Sequence, residues 1–184
     1  LGRRADRLRA RIRWLGYAPK GPCCGRVLGR GGGGMCCAGQ RTLPWVEEGK
    51  VRTVEFCGAC LAPLWYRDRV RDGMHRYKFQ HGRAHARLFG TLMAQCLQDR
   101  WREPVDLITW APLSRKRLRE RGYDQAELLA RRVGEVTGLP VTAALVKTRN
   151  PKAQSSLDAD DSPKANVQGV YACPPGADLA VQPV

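Results

Sequence analysis

Two groups of residues have types and spacings that can do chemistry. Six of the eight cysteines, Cys23, Cys24, Cys36, Cys37, Cys57 and Cys60, crowd between positions 23 and 60, while Cys96 and Cys173 stand apart. In Cys57-Gly-Ala-Cys60 the two-residue gap lets both thiolates of one tight turn meet a tetrahedral zinc. The doublets Cys23-Cys24 and Cys36-Cys37 can supply the remaining ligands, one from each because adjacent side chains point apart. Cys24, Cys36, Cys57 and Cys60 are therefore the expected structural zinc set, with Cys23 or Cys37 as substitutes. The alternative is a ribbon whose cysteines hold no metal. Cys96, in an apolar helical pattern, reads as a core thiol, and Cys173, before Pro174-Pro175, as a loop thiol.

The second group is the stretch from Ser114 to Gly122, where Arg115, Lys116, Arg117, Arg119 and Arg121 make five of nine residues basic. It follows an apolar run that ends at Trp110-Ala111-Pro112 and precedes a helix start. A cationic loop at the carboxyl end of a parallel strand, with a helix N-terminus behind it, is where a phosphate or pyrophosphate is held. The ordinary alternative is a solvated basic turn. His75, His81 and His85 are accompanied by no cysteine in an activating context, and their spacing matches no nucleophile motif.

These groups need elements to hold them. Residues 1–20 place Ala5, Leu8, Ile12 and Leu15 on one face and arginines on the others, the pattern of a basic amphipathic helix. Residues 21–65 form the cysteine-rich lobe, with Gly29 to Gly34 a flexible loop between its doublets. From residue 66 to 184 helix and strand signals alternate. His85 to Trp101 carries Leu88, Phe89, Leu92, Met93, Cys96, Leu97 and Trp101 on one stripe, predicting an amphipathic helix. Val105 to Leu113 predicts a buried parallel strand. Asp124, with Glu127 three residues on, predicts a capped helix through Val133 and Val136 that Gly138 and Pro140 end, and Val141 to Val146 predicts the next strand. The layout is α/β.

In that order, several motifs resemble one family. Lys78-Phe79 follows Tyr66 and Tyr77, and Asp106 to Pro112 precedes Arg117-Leu-Arg-Glu-Arg121-Gly122-Tyr123-Asp124-Gln125. Arg149, Gln154-Ser-Ser-Leu157 and Asn166-Val-Gln-Gly169-Val-Tyr171 come after. Together these resemble the ComF family over roughly residues 22–172. The resemblance implies a type I phosphoribosyltransferase-like parallel sheet with a small N-terminal zinc-ribbon-like lobe, glycosyltransferase-class chemistry, and an association with DNA uptake in bacterial competence. It implies phosphoribosyl diphosphate or a related phosphorylated ribose as ligand, with Mg2+ accompanying it in a complete form. Arg117 and Arg121 carry over as oxygen clamps in the Arg115 to Gly122 loop, with Lys116 beside them and Lys78 a third cation.

The sequence departs from the family's pattern. Asp124 stands where Asn is usual, the knuckle cysteines are incomplete, and two adjacent acids followed by a Thr-Thr-Gly turn occur nowhere. Because that loop grips the ribose hydroxyls and 5′-phosphate, catalysis is not expected of the chain as it stands, and binding of a phosphoribosyl or pyrophosphate group is expected of a complete form. Its start at Leu1 and its end at Val184 read as those of a fragment, with Val141 to Val146 left as an unpaired edge strand.

Length and charge set the frame. The 184 residues, 43% hydrophobic, suffice for one medium domain and an appendage with a real core. The net charge of +15 is concentrated: residues 1–56 hold 12 basic and 4 acidic side chains, residues 57–150 hold 18 and 9, and the remainder is acidic on balance. Of the 32 basic residues 25 are Arg, whose planar fork suits phosphate oxygens, so a polyanion is the first partner to suspect; a compositional bias is the alternative. With Trp45, Trp65, Tyr66, Tyr77 and Trp110 available for stacking, single-stranded DNA is the second expected ligand, unless those rings are core. No apolar run reaches eighteen residues and no secretory signal core is present, which points to the cytoplasm; competence machinery as protein partner is what the family resemblance implies.

Overall fold

The computed structural model describes residues 21, 23, 41–47, 50–54, 58–80, 82–149 and 169–174. The chain divides into two compact units, Leu1–Arg100 and Trp101–Val184. Its elements run β1 (Arg52–Val54), β2 (Gly58–Cys60), α1 (Asp68–Phe79), a 3-10 turn (Arg83–His85), α2 (Ala86–Arg100), α3 (Arg115–Arg121), α4 (Gln125–Thr137), β3 (Val146–Lys147) and β4 (Tyr171–Ala172). Among the described residues no helix is long and apolar enough to cross a membrane. The expected basic helix over 1–20 lies outside them.

In the first unit, β1 and β2 pair antiparallel with Arg52 opposite Cys60. Residues 44–46 and 63–65 lie side by side through the Trp45–Leu64 bridge, Val46 N–H donating to the Pro63 carbonyl at 3.1 Å and Trp65 N–H to that of Pro44 at 2.9 Å. α1 buries Val70, Gly73 and Tyr77, one helical stripe, and keeps Asp68 in its first turn and Arg76 and Lys78 in its last, the signs that complement a helix dipole. α2 buries Ala86, Leu88, Phe89, Gly90, Leu92, Ala94 and Cys96. This bears out the amphipathic helix over 85–101 and the core thiol, except that Met93 is exposed.

Tyr77, fully buried, meets Phe89 with ring centroids 6.0 Å apart, so the sides of α1 and α2 that bury aromatic surface face each other. Gly82 permits the tight passage between them: a Cβ there would lie 3.0 Å from the Arg76 carbonyl and 2.9 Å from His85 Nδ1. Arg100, at the end of α2, donates from Nη2 to the Val46 carbonyl at 2.6 Å, anchoring the helix to the 41–47 segment.

The second unit departs from the expected parallel sheet. Described strands form two-stranded antiparallel sheets, and the parallel element between 105–113 and 141–146 is a single bridge, Ile108 with Val141. It is a well-made one, with Ile108 N–H donating to the Pro140 carbonyl and Thr142 N–H to the Ile108 carbonyl, both at 2.9 Å. A strand buried on both faces would need cover that Asp106 and Thr109, both exposed, do not have, and Pro112 has no N–H to continue a ladder. The Val141 to Val146 segment is not left unpaired: Val141 pairs with Ile108, and Val146 and Lys147 pair antiparallel with Ala172 and Tyr171.

Beneath these, α4 buries Ala130, Val133 and Gly134. A Cβ at Gly134 would collide with Val141 Cγ2 and stand 2.9 Å from the Leu139 carbonyl, so glycine sets how closely α4 approaches the bridge. The fold class is thus mixed helix and strand, with four described helices and two small antiparallel sheets.

Candidate anion-binding site

The basic stretch 114–122, expected as a loop, is helical. Ser114, buried and extended, caps α3 by accepting at Oγ from Arg117 N–H at 3.3 Å, and Gly122 ends the helix at φ 76° with its N–H donating to the Leu118 carbonyl at 2.8 Å. Serine before a run of strong helix formers and glycine after it are the signals that could have predicted this helix. Arg115 and Lys116 are exposed and sit in the first turn, the end where a cation opposes the helix dipole. Arg117 and Arg121, one turn apart, share a side of α3, and both are partly covered.

The start of α4 is where sequence reasoning placed an incoming anion, and the chain fills it with its own carboxylate. Buried Asp124 accepts at Oδ1 from Ala126 N–H (2.9 Å) and Glu127 N–H (3.3 Å), and at Oδ2 from Leu113 N–H (2.7 Å). The predicted cap and helix are therefore present, with Gly138 closing α4 at φ 79°. The same carboxylate ties the end of the 105–113 segment to α4. The first-turn donors at Ala126 and Glu127 are committed, so an anion at this place must be held by side chains.

Arg121 Nη1 donates to Oε1 of buried Gln125 at 3.0 Å. Burial, and then the neighbouring Arg117 charge, hold the Arg121 guanidinium below its ordinary pKa, with Glu120, Tyr123 and Asp124 opposing. Lys147, a residue the sequence did not single out, is lowered by the same two causes, burial first and Arg117 second, with Asp124 opposing. It comes to this place on β3, opposite Tyr171 of β4, whose ring centroid lies 5.4 Å from the ammonium. Arg117 is thus common to both perturbations.

Lys78 belongs to the first unit, exposed in the last turn of α1. Of the zinc set, Cys60 is an exposed thiol at the end of β2, while Cys24, Cys36 and Cys57 lie outside the described residues. Cys23 is buried. Among the described residues no three metal-ligating side chains converge, so they build no zinc centre by themselves. The aromatics separate by burial: Tyr77 is core, whereas Trp45, Trp65 and Tyr66 are exposed, with Lys50 Nζ 5.5 Å from the Trp65 ring centroid. Compared with protein-family models, curated proteins and solved structures, the chain matches none.

Proposed function

We propose that this is a ComF-like, phosphoribosyltransferase-related protein of DNA uptake whose second unit binds the pyrophosphate or phosphoryl group of a phosphorylated ribose. The observation that supports the reading is the pair Arg117 and Arg121, one turn apart and partly covered on α3, in sequence just ahead of a buried carboxylate whose oxygens are engaged by three backbone donors. Cations held together against their mutual repulsion are stabilised by a polyanion, and arginine forks give phosphoryl oxygens paired hydrogen bonds. The activity is binding: Asp124 is committed to the backbone, so the site offers side-chain cations and no unengaged base at the helix start. Calorimetric titration of phosphoribosyl diphosphate tests this. Wild type should bind, and Arg117→Ala with Arg121→Ala should lose about a hundredfold for two charge-assisted contacts. Equal binding by both proteins would remove the clamp.

A second reading, a non-catalytic single-stranded DNA-binding module, is favoured by the exposure of Trp45, Trp65 and Tyr66, with Lys50 beside the Trp65 ring. Bases stack on such rings, and phosphates add a salt-dependent term. Anisotropy of a labelled oligonucleotide should show affinity falling with salt and a loss of about tenfold in Trp65→Ala. Affinity that ignores salt, or no binding at low salt, would exclude it.

A further inference from the structure

α3 carries cations on two opposite sides. At roughly 100° per residue, Arg115, Lys116 and Arg119 gather within about a third of the helix circumference, and Arg117 and Arg121 lie across from them. Burial follows the same division: Arg117 and Arg121 are partly covered, while Arg115, Lys116 and Arg119 are exposed. The exposed three form no ion pair among the described residues, not even with Glu120, one turn beyond Lys116. The next helix treats its arginines differently. Arg131 and Arg132 are neutralised on α4 itself, by Glu127 at 2.8 Å and Glu135 at 2.9 Å. On α3, Arg115 and Arg119 repel each other one turn apart, and the first turn holds no acid to offset its cations. The Ser114 and Gly122 caps hold the helix together against that repulsion. A face that works against the helix carrying it is explained by a partner that supplies negative charge.

We infer that the Arg115, Lys116 and Arg119 face of α3 is a docking surface for the phosphodiester backbone of a nucleic acid. Charge complementarity selects the partner. Arginine forks match phosphate oxygens, and cations one turn apart, about 6 Å along the axis, meet separate groups of an extended polyanion. A bilayer fits the same face poorly. An interfacial helix sets an apolar side opposite its cations, whereas α3 sets Arg117 and Arg121 there and has Leu118 as its one apolar side chain. Contacts of this kind go to the backbone and carry no sequence information, so binding is indifferent to base sequence. The surface is independent of the Arg117 and Arg121 clamp, which occupies the covered side, and of the aromatic residues of the first unit.

The experiment follows the anisotropy of a labelled oligothymidine strand and of a labelled duplex with the full chain over a range of salt. Wild type should bind one or both, with affinity that falls as salt rises. The combined variant Arg115→Gln, Lys116→Gln and Arg119→Gln should flatten the slope of log affinity against log salt by about 2 on the single strand, a loss of about a hundredfold at about 0.1 M salt. Its melting temperature should be no lower than wild type, because glutamine forms helix as readily and the repulsion is gone. Arg115→Lys with Arg119→Lys keeps the charges and should bind within about threefold of wild type. Wild-type affinity and slope in the glutamine variant would overturn this inference; the Trp65→Ala and phosphoribosyl diphosphate titrations would still decide the other two readings on their own. A lowered melting temperature in the glutamine variant, with the lysine variant binding no better than it, would overturn the inference in favour of a structural role. It would also be overturned if wild type bound no oligonucleotide at low salt, or bound phosphatidylserine vesicles instead.

Discussion

Asp124→Ala removes a carboxylate that joins the end of the 105–113 segment to α4, and its cost can be worked from three contacts. Loss of Oδ1 strips the cap from Ala126 N–H and Glu127 N–H, at 2.9 and 3.3 Å, which costs about 1 kcal/mol. Loss of Oδ2 leaves Leu113 N–H, now bonded at 2.7 Å in a partly buried position, without an acceptor, adding about 1–3 kcal/mol. The sum is about 2–4 kcal/mol for the second unit. Asp124→Asn keeps an oxygen for the cap but places an amide nitrogen at the other position, so it retains the first contribution and loses the second, about 1–3 kcal/mol. Amide hydrogen exchange measures this within one unit, because protection reports the opening free energy of each region separately. In Asp124→Ala the Leu113, Ala126 and Glu127 amides should exchange fastest relative to wild type; in Asp124→Asn only Leu113 should. A cost under about 0.5 kcal/mol for Asp124→Ala, or identical exchange patterns in the two variants, would refute the argument that this carboxylate fills the helix start.

Three further outcomes are expected. Gly134→Ala should destabilise the second unit by about 1–3 kcal/mol in urea unfolding, because the new Cβ meets Val141 and the Leu139 carbonyl. In the first unit, burial and then the Arg76 charge lower the pKa of His85 from 6.5, and its Nδ1 is buried without a hydrogen-bond partner. A depressed folded-state value means that stability is full above pH 6.5 and falls as pH drops through the lowered value, since the unfolded chain takes the proton more readily; His85→Gln should flatten that slope in unfolding followed against pH. If the four-cysteine set holds a structural ion, protein purified without chelator carries one zinc per chain by elemental analysis, and Cys60→Ser lowers that content.

Much of the local structure was legible because its causes lie within one or two turns. Asp124 with Glu127 and Gly138 marked both ends of α4, and the apolar spacing from Ala86 to Cys96 marked α2. The 114–122 stretch misled because its charges drew the eye from its caps: Ser114 and Gly122 are sequence signals as plain as those of α4. Val105 to Leu113 misled for another reason. An apolar run predicts burial, but whether a sheet is present to bury it depends on partners elsewhere in the chain, and the described residues provide one bridge.

Composition by itself determined that the chain carries a large positive charge, dominated by arginine and absent from its last segment, and that Arg117 and Arg121 recur at helical spacing. Only the tertiary structure decided where the other cations fall. Lys78 belongs to the first unit, in the last turn of α1, while Lys147 is set opposite Tyr171 in a two-residue ladder of the second. The physical reason is that caps and amphipathic stripes are set by neighbours along the chain, whereas a charge cluster is set by backbone pairings between distant segments, whose register no local pattern encodes.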